Sequence, residues 1–106
     1  MITAVVQFKL PEGSTLADAK AKFQSTAPLY LGLKGLTRKY YLFDEKNGTG
    51  GGCYLFESRE AAEATFNDEW RARLREKYGA DPVVQLFESP VIVDNLQNEI
   101  IGGAGG

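Results

Sequence analysis

The sequence predicts one α+β domain with the order β-α-β-β-α-β and an extra strand at its C-terminal end. Three observations predict it. From Gly35 to Ser58 (GLTRKYYLFDEKNGTGGGCYLFES), two apolar and aromatic runs flank a block of Asn, Gly and Thr, the pattern of a β-hairpin. One stretch of helical spacing lies on each side of that hairpin, and a run of two-residue alternation lies beyond each helix. A chain of 106 residues is enough for one core and too short for two.

The elements follow in order. Ile2–Leu10 reads as a strand with Ile2, Ala4, Val6, Phe8 and Leu10 on one face and Thr3, Val5, Gln7 and Lys9 on the other. Pro11-Glu12-Gly13 ends it. Ser14 or Thr15 then caps a helix whose first turn carries Asp18, as the macrodipole favours. Leu16, Ala19, Phe23 and Ala27 form its apolar stripe, and Pro28 is expected to end or kink it. Leu29–Leu33 should be an irregular connection.

In the hairpin, Leu36–Glu45 and Gly52–Ser58 are the expected strands, with Lys46–Gly51 as the turn. Ser58 caps a helix over Arg59–Phe66, and Asn67 or Asp68 caps its continuation, so a break is expected there. Ala62, Phe66, Trp70, Leu74 and Tyr78 recur every fourth residue. Such a row drifts around a straight helix, and a break lets both halves face the core. Gly79 closes the second half. Val83–Glu88 is the next strand; Ser89-Pro90 interrupts it, and Val91–Val93 continues it. This order is the ferredoxin-like split βαβ sandwich over residues 1–101, with 102–106 expected as a disordered Gly-rich tail.

The hairpin strands are apolar on both faces. Leu36, Arg38, Tyr40, Leu42 and Asp44 point one way and Thr37, Lys39, Tyr41 and Phe43 the other; Tyr54 and Phe56 oppose Cys53 and Leu55. Two helical stretches can cover only one side of such a sheet, so the other cover is expected to be a second copy of the chain.

Composition narrows the function classes. With 43% hydrophobic and 25% charged residues, a net charge of −2 and a pI near 5.1, the chain lacks the basic stripe of a nucleic-acid binder. The aromatic third strand sits where an RNA-recognition motif would place its aromatics, but without the basic start or the full aromatic pattern. No apolar run approaches the ~18 residues of a membrane span, and the N-terminus lacks a signal-peptide pattern, so a cytoplasmic protein is expected. The glycines from Gly48 to Gly52 lead into a strand, not a helix, and so do not make a phosphate loop.

The sequence contains no histidine, which removes His-built metal sites and Ser-His-Asp or Cys-His catalysis. Cys53 reads as a small buried residue within a strand. Acid–base chemistry then falls to Asp, Glu, Lys, Tyr or Cys. Lys39, Tyr41 and Tyr54 share a strand face if the hairpin register allows. A cation there must snorkel, find a carboxylate such as Asp44, Glu45 or Glu57, or serve a ligand. Alternatively Arg38 faces inward and Lys39 lies at the rim. Trp70, the single tryptophan, reads either as a core anchor or as a pocket wall whose N–H reaches a ligand. The candidate catalytic set is Lys39, Tyr41, Tyr54 and Trp70; Tyr30, Arg38 and Phe66 are candidate pocket residues. No cofactor and no metal are expected.

GLTRKYYL (Gly35–Leu42), GGGCYLFES (Gly50–Ser58), the Glu60–Gly79 helix and PVIVDN (Pro90–Asn95) together resemble the YdhR-type monooxygenases of the dimeric α/β-barrel superfamily. The resemblance spans Ile2 to about Asn95. It implies a homodimer in which two sheets pack face to face as a barrel, with the C-terminal segment reaching the partner. It also implies a pocket between sheet and helices. The superfamily includes cofactor-independent monooxygenases of aromatic polyketides, haem-degrading enzymes, and small isomerases or dehydratases. The haem branch uses a His ligand, which this chain lacks. The resemblance implies cofactor-independent oxygenation, or a related isomerisation, of a small aromatic or apolar substrate, with a Tyr-held haem left as the disfavoured branch; the alternative is a non-catalytic dimeric binder of a small hydrophobic molecule.

Overall fold

A computed structural model of the chain describes residues 1–102. Its elements are β1 (Ile2–Lys9), α1 (Leu16–Tyr30), β2 (Leu36–Asp44), β3 (Thr49–Phe56), α2 (Arg59–Thr65), α3 (Asp68–Tyr78), β4 (Val83–Glu88), β5 (Ile92–Asp94) and β6 (Glu99–Ile101). A four-stranded sheet has the order β2-β3-β1-β4, with every neighbouring pair antiparallel. The α+β ferredoxin-like architecture read from the sequence is the one observed.

One core lies between this sheet and the helices. Ile2, Ala4, Val6, Phe8 and Leu10 are all buried, as the alternation of β1 requires, and meet Ala19, Phe23, Ala62, Phe66, Trp70 and Tyr78 from the helices. Local chemistry sets the helix ends. Thr15 and Asp18 form a reciprocal capping box, and Ser58 and Asn67 cap α2 and α3 through their side chains. Gly79 ends α3 in the left-handed region at φ 73°. The helix break at Asn67 is where the sequence placed it.

Four details depart from expectation. The hairpin turn occupies only Glu45–Gly48, and Thr49, Gly50 and Gly51, expected in the turn, belong to β3. Close packing, not turn geometry, requires glycine there: a Cβ on Gly51 would collide with the Val6 carbonyl of the neighbouring strand, and one on Gly50 would sit 3.2 Å from the Leu10 side chain. Second, α1 continues through Pro28 to Tyr30. Proline near a helix end removes only one late hydrogen bond, and its fixed φ suits the helix. The buried face of α1 is therefore Ala19, Phe23, Thr26 and Tyr30, at spacings of four, three and four, while Leu16 and Ala27 are exposed.

Third, a register shift between Leu36 and Arg38 turns Leu36 onto the same face as Lys39, Tyr41 and Phe43. Fourth, β5 does not extend β4; it pairs with β6 as a separate hairpin whose Val93, Leu96 and Ile100 are exposed. Gly102 lies in a turn, and residues 103–106 of the expected tail fall outside the described residues. The sheet face opposite the helices carries exposed Tyr40, Leu42, Val83 and Phe87. Among the described residues no helix is long and apolar enough to cross a membrane.

Candidate functional site

The site is assembled on the helix-facing side of the β2–β3 hairpin. Register places Lys39 directly opposite Tyr54 and Tyr41 opposite Gly52, so the three side chains share one face. Glycine at position 52 makes this possible, because a Cβ there would lie 2.9 Å from the Tyr54 ring and 3.3 Å from the Lys39 chain. From above, the last turn of α1 contributes Tyr30 and Thr26. The first turn of α3 contributes Trp70, held at its N-terminus by the Asn67 cap, whose side chain accepts the Trp70 amide at 2.9 Å.

These groups enclose the Lys39 ammonium with aromatic faces. Its Nζ lies 3.4 Å from the ring centroid of Tyr30, 3.7 Å from that of Tyr41 and 4.6 Å from that of Tyr54. No carboxylate lies within ion-pairing distance of it among the described residues. The rings are themselves fixed. Trp70 Nε1 donates to the Tyr30 hydroxyl at 2.9 Å, the Tyr41 and Thr26 hydroxyls are hydrogen-bonded at 2.7 Å, and Phe23 stacks on Tyr41 at 4.7 Å. Below them is a cavity of about 60 Å³, room for a few water-sized groups, walled by Phe8, Phe23, Tyr30, Tyr41, Tyr54, Trp70 and Tyr78.

Burial without a counterion disfavours the charged amine and pushes the Lys39 pKa down to about 7. The three ring faces oppose that shift, since a desolvated cation–π contact is worth up to ~2 kcal/mol, but they supply no negative charge and reduce the shift without reversing it. The tyrosines move the other way. Burial raises Tyr41 and Tyr54 above the usual phenol value and pushes Tyr78 up to about 12. At neutral pH these hydroxyls are donors, and Lys39 is the group in the cavity poised to exchange a proton.

Five of the seven sequence candidates therefore converge: Lys39, Tyr41, Tyr54, Tyr30 and Trp70. Tyr30 is an ordered helical residue, not part of a loose connection. Its hydroxyl accepts the Trp70 indole N–H, which only one of the two readings of Trp70 had offered to a ligand, and Trp70 itself is buried in the core as the other reading expected. Arg38 is not in the pocket: strand alternation puts it on the opposite face, with Nη1 3.1 Å from the Tyr40 hydroxyl and Nη2 3.7 Å from Asp94. Phe66 is a core residue behind the cavity, packed edge-to-face on Tyr54 and Trp70. The sequence reading missed Thr26, Arg73 and Lys77. The spacing of Thr26 from Ala19, Phe23 and Tyr30 was the available signal, obscured by treating Pro28 as a stop. Among the described residues no group of three or more Cys, Asp or Glu is placed to hold a metal.

Known structures share this architecture. The cofactor-independent oxygenase SnoaB from Streptomyces nogalater, in a point-mutant form, is 17% identical, with a TM-score of 0.60 over 83% of this chain and 91% of that one. An antibiotic biosynthesis monooxygenase from Bordetella bronchiseptica, so described as putative, is also 17% identical, with a TM-score of 0.58 over 83% of this chain and 96% of that one. At such identity these likenesses speak for the fold. No curated protein matches the chain in sequence. Residues 4–92 match the family described as "Putative mono-oxygenase ydhR", and that span, most of the chain, places this protein in the ydhR mono-oxygenase family.

Proposed function

We propose that the protein is a cofactor-independent monooxygenase acting on a small aromatic substrate that enters the cavity beneath Lys39. The observation that carries the proposal is a half-buried lysine with no counterion among the described residues, ringed by three tyrosines. Family membership and the oxygenase neighbour support the reaction class.

The chemistry follows from the groups present. A phenol or anthrone becomes electron-rich enough to meet oxygen when it loses a proton. Neutral Lys39 accepts that proton, and the resulting ammonium stays beside the new anion, which Tyr41 and Tyr54 can stabilise by donating hydrogen bonds. The substrate anion then provides the negative charge that the pocket lacks. Both electrons needed to reduce the second oxygen atom come from the substrate: anthrone and O₂ yield anthraquinone and water, in balance without a cofactor. At about 60 Å³ the cavity admits only part of such a molecule, so the exposed side chains at its mouth, Leu29 among them, have to move aside.

We also propose that a second copy covers the open sheet face, with the exposed β5–β6 hairpin extending onto it. Exposed Tyr40, Leu42, Phe87, Val93 and Ile100 support this, since an apolar surface of that extent marks an interaction site. Sedimentation at micromolar concentration tests it, and a well-folded single subunit would refute it.

The reaction is tested by following oxygen uptake with anthrone and with quinols. Consumption with quinone formation is expected, lost in Lys39→Met. Binding of these compounds without oxygen consumption would favour a non-catalytic binder of hydrophobic molecules instead.

A further inference from the structure

The ionisable groups along the cavity are unlike the rest of the chain. The protein carries a net charge of −2, yet no Asp or Glu lines this cavity and three basic residues do: Lys39 inside, and Arg73 and Lys77 at the mouth between α1 and α3. The neighbouring outer groove shares Arg73 but mixes signs, with Glu57 and Glu60 beside Lys34. A chain with an acidic excess that brings Lys and Arg but no Asp or Glu to one cavity is arranged for a negative ligand.

Arg73 and Lys77 are also poorly explained by the fold. They lie four apart on α3, where like charges are neighbours and destabilise a helix. Arg75 on the same helix has its own partner, with Nε 2.6 Å from Asp81. Lys77 donates only to the Ser25 hydroxyl at 2.9 Å, and neither Arg73 nor Lys77 forms an ion pair among the described residues. Lys77 stands in the last turn of α3, where the helix dipole favours any cation. Arg73 stands a turn earlier, four residues after Glu69 and three before Glu76, and forms an ion pair with neither.

We infer that the cavity selects an amphipathic acid: an aromatic body enters toward Lys39, and a carboxylate at its far end is held at the mouth by Arg73 and Lys77. Arg73 supplies a planar fork suited to a carboxylate, and Lys77 supplies a point charge beside it. Basic groups at the inside and at the mouth of one aromatic-lined cavity thus read two ends of one molecule, the inner one a phenol that ionises and the outer one a permanent anion. The inference rests on the pocket of the proposed function but not on its oxygen chemistry.

A matched pair of probes tests it: 3-(4-hydroxyphenyl)propionate and its neutral counterpart 3-(4-hydroxyphenyl)propan-1-ol, titrated by calorimetry at low and high salt. At low salt the acid is expected to bind about tenfold tighter, an advantage that salt erodes. The Arg73→Gln/Lys77→Gln double variant should lose that advantage while its affinity for the alcohol stays the same. Exchanging the two cations, as Arg73→Lys/Lys77→Arg, should keep most of it. Equal binding of acid and alcohol, or an equal loss for both in the Gln variant, would overturn the inference. Failure of both probes to bind would overturn it together with the pocket. Oxygen uptake with uncharged anthrone is a separate outcome: if it is absent while charge selectivity is present, the oxygenase reading falls and this inference stands.

Discussion

Strand β2 carries two cation–tyrosine pairs, Arg38 with Tyr40 on one face and Lys39 with Tyr41 on the other, and the two have opposite fates. Arg38 lies toward solvent, bonded to the Tyr40 hydroxyl and near Asp94, and these partners, Tyr40 first, raise its pKa further. Lys39 is enclosed by rings with no carboxylate, and burial lowers its pKa to about 7. Residue type hardly differs between the pairs; the direction of the side chain decides whether the charge is solvated and paired or half-buried among rings without a partner. The first arrangement stabilises a surface. The second keeps an amine of lowered pKa beside a cavity, the setting from which its proposed role as a base is argued.

The largest separation between the two faces should appear in stability. Tyr54 is 3% exposed and Tyr40 is 53% exposed. Tyr54→Ala should cost ~3–5 kcal/mol in urea unfolding, as other large-to-small aromatic replacements in cores do. Tyr40→Ala should leave the stability of the single subunit within ~0.5 kcal/mol. Similar losses for both would mean that the outer face is as well buried as the inner one.

The next contrast is chemical. Lys39→Met should lower the rate of oxygen uptake by ~100-fold or more, the usual worth of a positioned base, with Arg38→Met within a few-fold of the parent protein. The same variant reports on pH. An unfolded lysine holds its proton to ~10.4, whereas folded Lys39 releases it at about 7. Between those values the unfolded state binds more protons, so this group's contribution to stability rises with pH across that window and is lost below it. Lys39→Met should flatten that rise. The tyrosines work oppositely at higher pH: with folded values raised, Tyr41, Tyr54 and Tyr78 contribute stability that is lost as pH climbs beyond ~10. Activity should likewise increase through about 7, and a rate that falls there would assign Lys39 a purely cationic role.

Smaller effects sharpen the inner face. Tyr30→Phe removes the acceptor of the indole N–H of Trp70, a residue 1% exposed, and should cost ~1–3 kcal/mol through the orphaned donor. Asn67→Ala removes the cap that sets where Trp70 sits and should cost ~1 kcal/mol in unfolding, with a rise in KM if the Trp70 wall shifts.

Much of this molecule was legible in its residues. The alternation of β1, the caps at Thr15, Ser58 and Asn67, the fourth-residue row from Ala62 to Tyr78 and the closing Gly79 are local signals, and each element stands where its signal lies. Gly50 and Gly51 of β3 were misread as turn residues because a turn and a close approach ask for the same residue type. Only the approach of Val6 from β1 distinguishes them. Pro28 was misread as a stop because its cost depends on how much helix remains beyond it.

Taken alone, the sequence determined the element order as far as β5, the family resemblance, the absence of histidine chemistry and the set of aromatic and cationic side chains available, but not β6. It could not decide which of Arg38 and Lys39 turns inward, because a one-residue change of register exchanges the two faces of a strand. That choice rests on contacts from β3, α1 and α3, residues distant in the chain, and on the space left by Gly52. Tertiary packing alone therefore produced the unpaired amine on which the proposed chemistry depends.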